Sequence, residues 1–319
     1  MKEPLIDQIS KDLLIPEDRL EYLILSAPYR YKVYSIPKKS KKGTRIIAQP
    51  AKEVKRLQYW VIENIFPKFT VHESASAYIK GKNILQNASV HKTKPYLLKL
   101  DFKEFFPSIK AKDFYSYTQT VENLDIDEND IQRLVKILFW LPKPRDKNEL
   151  QLSIGAPSSP RLSNILLNAF DTLVTEFCVS NSITYTRYAD DLTFSMEQKD
   201  QRSIVHDKVN EILANLPSLR LELNQKKTVY GSKAHRRIVT GLIISNNGAP
   251  SLGRNKKRLI RSKIDYFFKQ KLSHKEIQAL CGLMAFAKSV DPEFFERMER
   301  RYGSNLLKVL NKHESHKNQ

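Results

Sequence analysis

The chain of 319 residues is 41% hydrophobic and 28% charged, with a formal net charge of +19. That length and balance exclude a disordered chain, and the surplus of Lys and Arg points to a polyanionic partner, nucleic acid before an anionic membrane surface. No apolar run nears the roughly 18 residues of a membrane span, and MKEPLIDQIS lacks a signal-peptide core. Cys178 and Cys281 lie far apart in apolar helical patterns, which speaks against a disulfide framework or zinc site and for a reducing cytoplasm.

In chain order, residues 17–27 read as a short helix. YRYKVYSIPKKSKKGTRIIAQ (29–49) reads as two strands around a basic turn. KEVKRLQYWVIENIF follows with apolar residues Val54, Leu57, Trp60, Val61 and Ile65 at helical spacing, ended by Pro67. YLLKLDF (96–102) is an apolar strand, and helices are expected at about 111–123 and 128–140. The turn SIGAPSSP leads into one long helix, RLSNILLNAFDTLVTEFC. The stretch TYTRYADDLTFS (184–195) reads as strand, turn and strand, with a helix at about 201–215 behind it. LRLELNQKKTVY and RIVTGLIIS read as strands. From Arg254 the pattern is helical only, broken at Leu272–Ser273, at Asp291–Pro292 and near Gly303. Mixed strands and helices followed by a helical tail predict an α+β fold, residues 1–245, and a helical subdomain, 246–319, joined near NNGAPSLG.

Asp101 ends one apolar strand, and Asp190 and Asp191 sit within another apolar stretch. Successive side chains on a strand point to opposite faces, so the adjacent pair shares one site only if the backbone turns at Ala189–Asp190–Asp191. Carboxylates converging in a protein interior repel one another unless cations sit among them. Hard oxygen donors suit Mg²⁺, and two such ions about 3.5–4 Å apart form the clamp used for in-line phosphoryl transfer.

YADD between apolar strands resembles motif C of reverse transcriptases, and LKLDFKEFFPSI resembles their motif A. IGAPSSPRLSN is similar to motif B, LELNQKKT to motif D and VTGLIIS to the primer-grip hairpin, in the family's order. NASVH (87–91) and Val239–Thr240–Gly241 resemble the Asn-Ala-x-x-His and Val-Thr-Gly motifs of the bacterial retron group. The resemblance implies a right-hand polymerase: fingers, a palm of antiparallel sheet with helices, and a C-terminal helical thumb that binds RNA. It also implies an RNA-directed DNA polymerase using two Mg²⁺, with Mn²⁺ as an alternative, and deoxynucleoside triphosphates. The template would be a dedicated structured non-coding RNA and the product a branched RNA–DNA (msDNA). A role in anti-phage defence with an effector protein encoded nearby is implied too, with no membrane partner.

Carried over residue by residue, Asp101 and Asp190 are implied to ligate both metals, with Asp191 assisting and the Phe102 carbonyl as a backbone ligand. Phe106 stands where these enzymes carry a steric gate against ribonucleotides, while Phe105 reads as core. Arg45 is expected to grip the triphosphate, with either Lys38 or Lys39 as a point charge. Gly155 gives a turn where backbone approaches nucleotide or template; Ile154 stands where many relatives have Gln. Ser158 and Ser159 are expected to cap the next helix, with Pro160 in its first turn. Lys227 matches the motif D lysine, as proton donor or phosphate contact, and Lys226 is expected to face solvent. Asn87 and His91 would share a helix face, either in core and capping roles or against RNA, and Thr240 and Gly241 are expected at the RNA. In RNKKRLIRSKIDYFF an apolar face (Ile260, Ile264, Phe267) opposes a basic one suited to a nucleic-acid backbone. That basic face comprises Arg254, Lys256, Lys257, Arg258, Arg261 and Lys263, and Tyr266 and Phe268 are candidates for base stacking.

Overall fold

The structure is a computed structural model that describes residues 3–38, 43–122, 124–142, 149–216, 219–303 and 308. Lys39, the alternative to Lys38 in the basic turn, lies outside the described residues. The chain forms two compact units. One comprises Met1–Lys82, Leu98–Phe194 and Gln198–Val229; the other comprises Asn83–Leu97, Ser195–Glu197 and Tyr230–Gln319. The second unit thus takes in residues 83–97 and 230–245 as well as the helical tail, whereas the sequence division falls at 245.

The first unit begins with two helices, α1 (Leu5–Leu13) and α2 (Glu17–Ser26), each entered through a proline, Pro4 and Pro16. Strands β1 (Tyr31–Pro37) and β2 (Thr44–Pro50) pair antiparallel from Tyr31↔Pro50 to Pro37↔Thr44. Only the base of this ribbon is buried, at Ala48 and Pro50, so Arg45 near its tip is exposed. Helix α3 (Lys52–Asn64) buries the predicted Val54, Leu57, Trp60 and Val61. Later in the chain come α4 (Ile84–Ser89), β3 (Tyr96–Asp101), α5 (Phe105–Ser108), α6 (Ala111–Thr118) and α7 (Glu128–Leu138). Asp127 caps α7 by accepting the Asp130 amide.

The predicted long helix is two, α8 (Ser159–Leu166) and α9 (Asn168–Ser180), bent by 51°. On a straight helix Asn164 and Asp171 would stand about 10 Å apart along the axis; the bend draws both onto one guanidinium, that of Arg187. The expected serine caps are absent: Ser158 already has helical backbone angles, φ −78 and ψ −32, from which its hydroxyl makes no capping bond. Pro160 does sit in the first turn. No single described helix is long and apolar enough to cross a membrane, and the bent pair, the one candidate by composition, buries Leu162, Ile165, Phe170 and Val174 inside the protein.

Strands β4 (Thr184–Tyr188) and β5 (Asp191–Met196) flank the aspartate turn, and α10 (Gln201–Asn215) follows. LRLELN is not a strand; it meets the end of β3 only through a bridge between Leu223 and Phe102, and QKK forms a single 3₁₀ turn. Strand β6 (Val229–Ser232) completes a four-stranded sheet in the order β4-β5-β3-β6.

In the second unit, β7 (Arg237–Val239), β8 (Leu242–Ile244) and β9 (Pro250–Ser251) form a small antiparallel sheet. Three helices follow: α11 (Gly253–Phe268), α12 (His274–Val290) and α13 (Pro292–Tyr302). Their breaks fall where the sequence puts them, α12 opening on a Ser273/Glu276 capping box and α13 on Asp291. The core joins Ile260, Ile264 and Phe267 of α11 to Leu280, Met284, Ala287 and Phe294. Cys178 and Cys281 are buried and form no disulfide.

Candidate active site

Strand β3 delivers Asp101 at its C-terminal end because Leu98 and Leu100 bury the alternate face. Glu104, in the left-handed region at φ 46, turns the chain out of the strand into α5. Phe105 goes into the core, stacked in series with Phe102, while Phe106 stays half-buried. The turn between β4 and β5 has Ala189 at φ 58, which lets Asp190 and Asp191 leave the strand alternation, as expected. The Phe102 amide donates to the Asp190 carbonyl at 3.1 Å, tying the end of β3 to this turn.

The three carboxylates act on one another. Burial, then repulsion from Asp190 and Asp191, pushes the Asp101 carboxyl up to about 6 despite a pull in the other direction from Lys227. Burial and Asp191 likewise push Asp190 above its ordinary value, against Lys227 and Arg45. Lys227 Nζ lies 2.7 and 3.0 Å from the two Asp101 oxygens, and Lys99 Nζ lies 3.5 Å from Asp191. Lys226 is exposed. Lys99, not among the residues the motifs single out, stands two residues before Asp101 and so on the same strand face.

Among the described residues no three Asp, Glu, His or Cys side chains form a ready metal site. Lys227 supplies positive charge to Asp101, and Lys99 lies within ion-pair distance of Asp191. By donor chemistry the trio still fits a hard divalent cation, since it offers carboxylate oxygens whose mutual repulsion a cation would relieve.

A buried polar network holds the turn from behind. Arg187, fully buried in β4, donates through Nε to Asp171 Oδ1 at 2.9 Å and through Nη2 to Oδ2 at 2.6 Å. Its Nη1 reaches Asn164 Oδ1 at 2.9 Å and the Ala189 carbonyl at 3.3 Å. Tyr185 adds a hydroxyl bond to Asp171 at 2.8 Å. The sequence signal was an arginine in an apolar strand; its partner could not be read from spacing.

Gly155 is fixed by the protein's own backbone. At φ +130 a Cβ there would lie 2.9 Å from the Ala48 carbonyl, and the Ala48 amide donates to the Ile154 carbonyl at 3.0 Å. This close approach pins the motif B turn to the base of β2, so any nucleotide contact is additional to a structural need for glycine.

The expected RNA contacts divide. Asn87 is 3% exposed and His91 0%, so neither side chain is offered to RNA at the surface. The helix α4 ends at Ser89, before His91, whose Nδ1 lies 2.9 Å from Ser195 Oγ; burial lowers its pKa to about 3 and keeps the ring neutral. Thr240 and Gly241, at φ 45 and 80, are the two central residues of the β7–β8 hairpin. Thr240 also donates to the Ile84 carbonyl at 3.3 Å. On α11, Arg254 and Arg258 are exposed as expected, as are Tyr266 and Phe268. The other predicted cations are engaged within the unit. Lys257 pairs with Asp291 at 2.7 Å, Lys263 with Glu276 at 3.5 Å, and Lys256 donates to the Gly241 carbonyl at 3.2 Å. Arg261 lies over the Phe294 ring.

Residues 36–258 match the family model for reverse transcriptase (RNA-dependent DNA polymerase). The chain belongs to the reverse transcriptase family. It is 42% identical over 294 residues to the Retron Ec83 reverse transcriptase of Escherichia coli, covering 92% of this chain and 94% of that one. Identity to the Retron Ec86 reverse transcriptase of the same organism is 32% over 310 residues, covering 95% and 92%. The chain is thus a bacterial retron reverse transcriptase, an RNA-directed DNA polymerase. Among solved structures, apo telomerase from Candida tropicalis superposes with a TM-score of 0.51 at 15% identity over 80% of this chain. The chain spans about half (52%) of that structure's length, and the likeness concerns the fold, which is the α+β polymerase fold expected from the sequence.

Proposed function

We propose that this reverse transcriptase extends a DNA strand at the Asp101–Asp190–Asp191 cluster, copying a dedicated structured RNA into a branched RNA–DNA. The observation that carries the reading is the gathering of three mutually repelling carboxylates at the β3 end and the β4–β5 turn. Asp101, Asp190 and Asp191, with the Phe102 carbonyl, would hold two Mg²⁺ or Mn²⁺ ions. When bound, these would supply charge neutralisation at the transferring phosphate. Arg45, whose charge already reaches Asp190, would grip the triphosphate, with Lys38 or Lys39 beside it. Lys227, placed beside Asp101, would serve the phosphates as a contact or proton donor. Phe106, half-buried beside Phe105, would face the sugar, and Gly155 would set the floor of the nucleotide site.

Residues 246–319, with helices α11 to α13, would act as the thumb, with Arg254 and Arg258 on the RNA backbone, and residues 1–245 would supply fingers and palm. Support for the retron product comes from the identity to the Escherichia coli retron enzymes along nearly the whole chain. A cytoplasmic setting and a role in anti-phage defence through a separately encoded effector complete the reading. The test is to purify the chain from cells that carry its neighbouring genes and sequence the bound nucleic acid. A DNA joined covalently to one discrete RNA is expected; a random sample of cellular RNA would contradict the retron product.

A further inference from the structure

The segment Ser74–Tyr78 lies along the outer edge of β4. The Ser76 amide donates to the Arg187 carbonyl at 2.8 Å, and the Arg187 amide donates back to the Ser74 carbonyl at 2.9 Å. Lys82 Nζ holds the Ala75 carbonyl at 2.8 Å. Asn164 Nδ2 donates to the Ala77 carbonyl at 2.8 Å, while Asn164 Oδ1 accepts from the same Arg187 Nη1 that reaches the Ala189 carbonyl. One buried Asn–Arg pair therefore clamps two carbonyls, those of Ala77 and Ala189. The next residue after each clamped carbonyl is Tyr78 in one case and Asp190 in the other.

Tyr78 is itself held at φ 62, a left-handed conformation that a bulky aromatic side chain rarely adopts. Such strain persists only where the surroundings over-determine it, and it gathers at functional sites. The lacing of Ser74–Tyr78 supplies that constraint, and yet the side chain is 50% exposed, so it is not there to fill a core. We propose that Tyr78 is a substrate-contacting residue whose phenol donates a hydrogen bond to a phosphate oxygen of the nucleic-acid substrate. That oxygen belongs either to the incoming triphosphate or to the strand backbone at the turn. The inference rests on the polymerase reading above. Tyrosine hydroxyls are regular donors to phosphate. Burial, with Asp190 and Tyr188, pushes the phenol above its ordinary value while Arg45 pulls it down; the group keeps its proton in neutral solution and stays a donor.

The test uses the full chain with Tyr78→Phe and Tyr78→Gly. KM for deoxynucleotide, Kd for an RNA-template/DNA-primer duplex, and the melting temperature are measured for each. Tyr78→Phe should melt like the parent and lose about tenfold, as expected for one hydrogen bond to a charged group. A loss in KM assigns the contact to the triphosphate; a loss in Kd assigns it to the strand. Tyr78→Gly, freed of the strained backbone, should melt at or above the parent and lose at least as much. A Phe variant equal to the parent in both constants overturns the proposal, as does a parallel fall in melting temperature of both variants, which would make Tyr78 a structural prop. A parent chain that incorporates nothing would instead overturn the polymerase reading.

Discussion

The aspartate turn of the first unit and the basic helix α11 of the second are both dense in charge, and they use it oppositely. At the turn, burial and like-charge neighbours hold Asp101 and Asp190 above their ordinary values, so the site stores repulsion that a cation would discharge. On α11 much of the positive charge is already spent, Lys257 on Asp291 and Lys263 on Glu276. Asp291 shows the contrast: burial pushes it up, but Lys257 and Ser251 bring it below its ordinary value. Both places carry lysine–aspartate pairs, but at the turn the pairing leaves Asp101 and Asp190 above their ordinary values, whereas on α11 it brings Asp291 below its own. Net charge alone does not tell them apart.

The largest effect is expected at Arg187, the buried cation behind the turn. Arg187→Ala removes the buried cation that Asp171 pairs with in the core. The expected loss of stability is about 3–5 kcal/mol, read as the midpoint of urea unfolding. A loss under about 1 kcal/mol would mean that the network does not hold the turn.

Asp101→Asn should act with the other sign. The folded carboxyl titrates at about 6 against an ordinary 3.8, so protonation favours the fold; this contribution is complete below pH about 4 and fades as pH rises through 6. An asparagine that cannot ionise should therefore stabilise the metal-free protein by about 3 kcal/mol at pH 8 and by almost nothing below pH 4. Thermal melts in EDTA at the two pH values check both numbers, and incorporation should vanish as stability rises. A destabilised Asn variant at pH 8 would show that Lys227 outweighs the repulsion.

On α11 the expected effects are smaller. Arg258→Ala should leave melting unchanged and lower the slope of log affinity for RNA against log salt by about 1. Lys257→Ala should do the reverse, lowering stability through Asp291 with little change in slope. Equal slopes for both variants would mean that the helix presents all its cations to RNA.

What could be read from the sequence follows the range of the interactions. Helix ends in the tail were legible because Ser273, Asp291–Pro292 and Gly303 act locally. The carboxylate cluster was legible because aspartates in apolar strands need a counter-charge, and Lys99 could have been read from its place on the same strand face. The break between α8 and α9 was not legible, since it serves an arginine on another strand. LRLELN alternates as a strand does, but β3 ends at Asp101 and leaves it only the Phe102–Leu223 bridge. Tyr78 carries no local mark either; its conformation comes from bonds to Asn164 and Arg187 far along the chain. For Asn87 and His91 the sequence left core and RNA roles open, and the fold buries both.

Whether the carboxylate cluster extends DNA on RNA is decided by deoxynucleotide incorporation on an RNA template with Mg²⁺, comparing the parent chain with Asp190→Asn. The parent should incorporate and the variant should fall by about 10³-fold, the loss of several kcal/mol of charge stabilisation. Equal incorporation by the two proteins, or none by the parent on generic and co-purified RNA alike, would contradict it.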